Sequence, residues 1–285
     1  MTGNTPVITR FAPSPTGYLH LGHAWSAIFA QHAAEKTGGQ FLLRIEDIDP
    51  VRCQSEFTEA IYKDLHWIGL KWPEPVRCQS QHLDDYAKAL QLLKDKGVLY
   101  PCFCSRREIA EEAAAAGHAP HLGDVEEVIY PGTCRHLSST ESTEKLAHYK
   151  TANWRLDVTQ ALAITGKLTW HDLGRGIVEA APERFGDVVL ARKDVPTSYH
   201  LSVTVDDYLQ GVTLVTRGED LFRATDIHRL LQALLDYPTP DYHHHTLLTD
   251  ETGKRFAKRD KSVTLRTLRT EGKTVEDIRH LLPDL

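Results

Sequence analysis

The chain of 285 residues exceeds one average domain and is 41% hydrophobic with mixed charge, which excludes a mini-protein, a fibre and extended disorder. A formal net charge of -6 argues against tight non-specific nucleic-acid binding, which needs a basic surface to neutralise phosphates, but leaves room for a small local RNA-binding face. No run approaches about eighteen consecutive apolar residues, and Arg10, Pro13 and Pro15 interrupt the place of a signal-peptide core, so no membrane partner and a cytoplasmic location are expected.

In chain order, residues 7–11 read as a short strand ended by Pro13 and Pro15, with Gly17 permitting a tight turn. Residues 21–34, rich in Ala, Trp, Ile and Phe, predict a helix that stops at Gly38 and Gly39, and residues 41–45 predict the next strand. That order is the opening of a parallel α/β sheet, in which ligands bind beyond the carboxyl ends of the strands, so the first turn is a candidate nucleotide site. Helices are predicted over residues 55–67 and 83–96; in the second, Leu83, Tyr86, Ala87, Leu90 and Leu93 keep helical spacing and Gly97 stops it. From about Tyr100 the texture changes to cysteines, an Ala-rich helix ending at Gly117, a Pro/His/Gly loop and an alternating strand over residues 154–158. The α/β pattern resumes with a buried parallel strand over residues 211–217. A helix follows with Ile227, Leu230, Leu231, Leu234 and Leu235 on one face, ending before Pro238. Beyond it lie a turn at Gly253, a basic cluster and two short helical stretches to Leu285.

Chemistry concentrates first in the run from Pro15 to His23, where Gly22 lies between His20 and His23 at a helix start. A glycine there lets a purine approach the backbone, while imidazoles and free helix N–H groups can stabilise phosphates and the charge developing at an α-phosphorus. Taken alone, a capped core helix with incidental histidines has equal weight.

The whole run Arg10-Phe11-Ala12-Pro13-Ser14-Pro15-Thr16-Gly17-Tyr18-Leu19-His20-Leu21-Gly22-His23 closely resembles the opening of glutamyl-tRNA synthetases, a class I aminoacyl-tRNA synthetase family. The resemblance continues at Arg44-Ile45-Glu46-Asp47-Ile48-Asp49, at Tyr199, at Val205-Asp206-Asp207 and at Arg217-Gly218-Glu219-Asp220-Leu221, and so spans most of the chain. The family's second ATP signature, KMSKS, resembles Arg255-Phe256-Ala257-Lys258-Arg259, with Lys258 at its second lysine. Arg255 stands for the usual first lysine and keeps the charge, whereas Ala257 stands for a small hydroxyl residue and removes a hydrogen-bonding group, which points to reduced turnover.

The resemblance implies activation of glutamate with ATP, independent of RNA, followed by transfer to an RNA hydroxyl. By it His20, His23 and Lys258 are catalytic, and His20, Gly22, His23 and Lys258 hold ATP with its Mg2+. Glutamate has two carboxylates and one ammonium, so its pocket needs cations and a carboxylate. The resemblance supplies Arg10 and Arg217 for the carboxylates and Glu46 for the amino group, with Tyr199 shaping the pocket and Phe11, Ala12, Pro13 and Ser14 lining it.

The chain ends at Leu285, shortly after the second signature, whereas full glutamyl-tRNA synthetases continue into helical anticodon-reading domains. That brevity resembles the glutamyl-queuosine tRNA(Asp) synthetases, which attach glutamate to queuosine at the wobble position of tRNA(Asp). The implied partners are ATP, L-glutamate and tRNA(Asp) carrying queuosine, and the implied state is a monomer. Three rivals stand beside this reading: a discriminating synthetase that charges a tRNA 3′ end with a partner, a non-catalytic RNA-binding paralogue motivated by Ala257, and an adenylate-forming ligase acting on a small amine.

Five cysteines, an odd number, favour reduced thiols. Cys102-x-Cys104 and Tyr130-x-x-x-Cys134 look like the zinc-binding insertion of some members of this group, which implies one structural Zn2+ with a phenolate as an uncommon fourth ligand. His136 or His121 can replace Tyr130, and three buried thiols around a packing tyrosine remain the alternative. Cys53 and Cys78 have no suggestive neighbours. His243-His244-His245 reads as an extended segment with alternating faces and local strand or surface roles. The fold class is therefore α/β: a Rossmann-type parallel sheet with a zinc-containing α+β insertion and a small C-terminal helical region. Residues 1–99 form the first half of the catalytic domain, 100–195 the insertion, 196–240 the second half, and 241–285 the KMSKS-like loop and C-terminal helices.

Overall fold

A computed structural model describes residues 6–105, 107–109, 111, 129–248 and 263–285. The β-branched run at the start forms β1 (Ile8–Phe11), and helix α1 (Leu21–Glu35) crosses over to β2 (Gln40–Ile45), which pairs parallel with β1, Arg10 opposite Leu42. Ala24, Ala27, Ala30 and Ala34 are buried on α1 together with Trp25, and the alanines let the helix come close enough to the sheet for the Thr9 hydroxyl to donate to the Ala30 carbonyl at 2.8 Å. Helix α2 (Ser55–Trp67) adds Ile61 and Leu65 to the same apolar cluster, and β3 (Arg77–Cys78) extends the sheet parallel to β2.

Helix α3 (Leu83–Asp95) leads into β4 (Leu99–Cys102), which forms an antiparallel sheet with β5 (Asn153–Leu156) and β8 (Val189–Ala191). Between them lie α4 (Ser139–Tyr149), α5 (Val158–Thr165) and the hairpin β6 (Thr169–Asp172) with β7 (Gly176–Glu179). The strand predicted over residues 154–158 ends at Leu156 because the Asp157 carboxylate accepts from the Gln160 amide at 2.9 Å and caps α5. Of the Ala-rich helix predicted to end at Gly117, residues 107–109 and 111 are helical, and residues 112–117 lie outside the described residues.

Helix α6 (Tyr199–Leu209) precedes β9 (Leu214–Gly218), α7 (Ala224–Leu234) and β10 (Asp241–His245). No helical periodicity marks α6 in the sequence, because every residue from Leu201 to Asp207 is buried and no polar stripe remains. The strand predicted over residues 211–217 starts only at Leu214, since Gly211 adopts φ 65° in the turn that leaves α6. Along α7, Ile227, Leu230, Leu231 and Leu234 are at most 1% exposed, each contributing roughly 1.5–3 kcal/mol of burial free energy.

Strand β10 runs parallel to both β9 and β6, giving the order β7-β6-β10-β9. The Thr213 amide donates to the Ile8 carbonyl at 3.0 Å and its hydroxyl accepts from the Ile8 amide at 2.9 Å, so β9 lies beside β1. The order in which strands are added thus reverses between β1 and β9, where an open α/β sheet leaves a crevice at the carboxyl ends of its strands. The C-terminal helices α8 (Leu265–Thr270) and α9 (Val275–His280) bury Leu265, Leu268 and Ile278 against the α1–α2 cluster. No helix among the described residues is long and apolar enough to cross a membrane.

Candidate active site

The first turn of α1 is capped by its own histidines. His20 Nδ1 accepts from the Gly22 amide at 3.1 Å, and His23 Nδ1 accepts from the His20 amide at 3.2 Å. A backbone N–H can only donate, so each neutral ring carries its proton on Nε2, the form that can donate to a phosphate oxygen. A Cβ at Gly22 would lie 3.0 Å from His20 Cε1, so the glycine also makes room for the capping ring.

A cavity of about 380 Å³ opens at the switch point. The end of β1 supplies Arg10, Phe11 and Ala12, and the head of α1 supplies His20, Gly22 and His23. Glu46 after β2, Tyr199 at the start of α6 and Arg217 on β9 complete the residues that the sequence singles out here. Ser14 instead lines a neighbouring cavity of about 320 Å³ that shares Glu46 and Tyr199 as walls, and Pro13 stands behind Glu46, accepting from its amide at 3.1 Å. Arg255, Ala257 and Lys258 lie outside the described residues. The residues flanking that stretch are at the site: Leu248 lines the cavity, and Thr264 bridges to His20 while the Leu265 amide donates to the Leu19 carbonyl at 2.8 Å.

Two buried arginine networks differ in kind. Arg44, 0% exposed, faces Asp207 at 2.8 Å, Glu46 at 3.2 Å and Asp206 at 3.6 Å, while Arg10 binds Asp207 with two nitrogens at 2.9 and 3.2 Å. Burial works against the Asp207 carboxylate, yet Arg10 and Arg44 together hold it below the usual range. Burial pushes Glu46 up, against the pull of Arg44 and Arg10; a bound ammonium would oppose that rise.

Arg217 is only 6% exposed and pairs with no carboxylate among the described residues. Its guanidinium donates instead to neutral acceptors: His244 Nε2 at 3.2 Å, His228 Nδ1 at 3.1 Å and the Thr225 hydroxyl. Burial, followed by the charge of Arg217, pushes His244 down to about 4 and His228 well below its ordinary value. The surface role predicted within His243-His244-His245 is thereby corrected. His244 is enclosed because β10 has a parallel strand on each side and packed layers above and below, and His245 bonds Ser26 Oγ at 2.9 Å on the cavity wall. Ser26, His245 and Trp25 carry no motif in the sequence, and only the fold brings them to the cavity.

The family of class I tRNA synthetases (E and Q), catalytic domain, matches residues 6–282. The chain belongs to this family. Among relatives of this class I group, a protein of Rhodobacter capsulatus called glutamyl-Q tRNA(Asp) synthetase is 48% identical over 97% of this chain and 99% of its own length. A glutamate–tRNA ligase of Aquifex aeolicus is 37% identical over 93% of this chain but 54% of its own length. The crystal structure of a glutamate tRNA ligase from Elizabethkingia meningosepticum in complex with its amino acid superposes with a TM-score of 0.73 and 29% identity, over 90% of this chain and 52% of that one. The chain thus spans about half the length of the solved synthetase.

Away from this class I site, Cys102, Cys104 and Cys134 bring their sulfurs within 4.8 Å of one another, a group able to hold a metal ion. The Tyr130 hydroxyl lies 3.5 Å from Cys104 Sγ and accepts from the Cys134 amide at 2.8 Å, whereas His136 is exposed and His121 lies outside the described residues. Cys134, accepting from Cys102, is pulled toward the thiolate, and Cys102, as donor, is pushed up. Convergent soft donors in a loop-rich region fit a closed tetrahedral centre.

Proposed function

We propose that the chain activates L-glutamate with ATP, without requiring RNA, and transfers the glutamyl group to queuosine of tRNA(Asp). The observation that carries the glutamate reading is Arg217: a buried cation lacking a carboxylate partner among the described residues, in one cavity with the carboxylate of Glu46. An amino acid with an anionic side chain supplies the carboxylate that Arg217 lacks, and its ammonium adds a second cation to Glu46 beside Arg44. The acceptor is supported by the Rhodobacter capsulatus glutamyl-Q tRNA(Asp) synthetase, matched over 99% of its length.

In the first step an α-carboxylate oxygen of glutamate attacks the α-phosphorus of ATP, and the bond to pyrophosphate breaks. His20 and His23 donate from Nε2 to phosphate oxygens, and Lys258 stabilises the departing pyrophosphate, while Mg2+ accompanies the nucleotide. In the second step a hydroxyl of the queuosine cyclopentenediol attacks the adenylate carbonyl, forming an ester and releasing AMP. No enzyme nucleophile is required. The test uses ATP and labelled glutamate with tRNA(Asp) that has or lacks queuosine, followed by nuclease mapping. Label on the anticodon fragment, only with queuosine, is the expected result; label at the 3′ terminus overturns the acceptor, and absence of glutamate-dependent ATP–pyrophosphate exchange overturns activation.

Cys102, Cys104, Tyr130 and Cys134 are proposed to hold one structural Zn2+. Because a metal bound only in the folded state stabilises it, chelation is expected to lower the melting temperature by about 5 °C or more, with elemental analysis giving near one zinc per chain. A metal-free protein of equal stability contradicts the site.

A further inference from the structure

Arg217 donates through Nε to His244 Nε2 at 3.2 Å, so that nitrogen must be an unprotonated acceptor. His244 then carries its proton on Nδ1, which faces Asp172 Oδ2 at 2.7 Å. The other carboxylate oxygen of Asp172 accepts from the Gly174 amide at 2.9 Å. Asp172 is 1% exposed and lies on β6, while His244 is on β10 and Arg217 on β9, so the chain of contacts crosses three neighbouring strands. Around the imidazole stand Trp170, Phe222 and Tyr242 rings, Thr225 from α7 and, further out, the charge of Arg175.

We propose that Asp172 is a positioning residue for glutamate recognition: it fixes the His244 tautomer, and His244 in turn aims the Arg217 guanidinium into the cavity while leaving its charge uncompensated. This rests on the reading of Arg217 as partner of a glutamate carboxylate. Any carboxylate touching Arg217 directly would aim it equally well but would compete with the ligand. A neutral imidazole accepts the same hydrogen bond without that competition, and the counter-charge is set back one residue. The arrangement favours a carboxylate over a carboxamide at the same place, since only the anion matches a buried, uncompensated cation.

Asparagine at 172 exposes the logic. Both oxygens of Asp172 are acceptors, and an amide has one. Its oxygen stays with the Gly174 amide, and its NH2 faces His244 Nδ1, driving the ring proton to Nε2 against the Arg217 donor. Asp172→Asn is therefore expected to raise the glutamate KM in pyrophosphate exchange about tenfold or more, with the ATP KM within about twofold of wild type. Adding His244→Gln, whose side-chain oxygen accepts and has no tautomer to mis-set, is expected to bring the glutamate KM back to within about threefold. A purely structural role for Asp172 predicts no such rescue. Nitrogen NMR of histidine-labelled protein, with His244→Gln assigning the signal, is expected to show Nδ1–H at His244 in the wild type and Nε2–H in Asp172→Asn. An Nε2–H ring in the wild type, or an unchanged glutamate KM in Asp172→Asn, overturns the proposal. Absence of glutamate-dependent exchange in the wild type instead overturns the glutamate reading, and the NMR result then still decides the tautomer.

Discussion

Arg217→Ala is expected to lower kcat/KM for glutamate in ATP–pyrophosphate exchange by roughly 10²- to 10³-fold, because truncating one member of a buried, hydrogen-bonded charge pair costs about 2–5 kcal/mol. The folded protein should tolerate the change better than the reaction does. Arg217 makes no salt bridge among the described residues, and what it leaves behind are neutral acceptors on Thr225, His228 and His244. A urea unfolding curve is expected to move by a smaller free energy than the activation barrier. Arg217→Lys keeps the charge but cannot reach three acceptors in a plane, so it should retain part of the activity and lose discrimination against glutamine. Unchanged kcat/KM in Arg217→Ala would remove this residue, and with it the glutamate reading, from the site.

The elements that bear the nucleotide signature were legible because their signals are local. Residues 7–11, 21–34 and 41–45 carry strand, helix and strand signals within one crossover, and their observed bounds are Ile8–Phe11, Leu21–Glu35 and Gln40–Ile45. The residues gathered at the cavity are legible only through the long resemblance, since Glu46, Tyr199 and Arg217 are far apart in the chain and carry no spacing of their own. What stayed hidden is the second layer. Asp172 and His244 are 72 positions apart, and Arg10 and Asp207 are 197 apart, so no window contains both partners. The His243–His245 triplet is the strand with alternating faces that the sequence implies, and only its surface role fails, because both faces are covered there: His244 packs with Arg217 and Asp172, and His245 with Ser26. Likewise nothing local in the sequence tells that Asp206 and Asp207 on α6 meet Arg10, Arg44 and Arg77, brought in from β1, β2 and β3.

That ionic core gives the second large expectation. Arg44→Ala should reduce the free energy of unfolding by about 3–5 kcal/mol, the cost of leaving buried charges uncompensated when one partner is removed. Arg44 is 0% exposed and is held further up by Asp207, Asp206 and Glu46 against the opposing effect of burial. It joins β2 to α6, and so ties the half of the sheet that bears Glu46 to the helix that begins at Tyr199. Removing it leaves Asp207 with Arg10 alone and leaves Glu46 without a hydrogen-bonded cation, so both walls of the cavity should loosen together. Arg44→Met combined with Glu46→Gln deletes one charge of each sign, leaves Asp207 paired with Arg10 and should recover part of the loss, because a matched removal costs less than an orphaned charge. Urea unfolding of the wild type, the single variant and the pair measures this directly. A loss below about 1 kcal/mol in Arg44→Ala would mean that water reaches the cluster and screens it, as at an exposed ion pair.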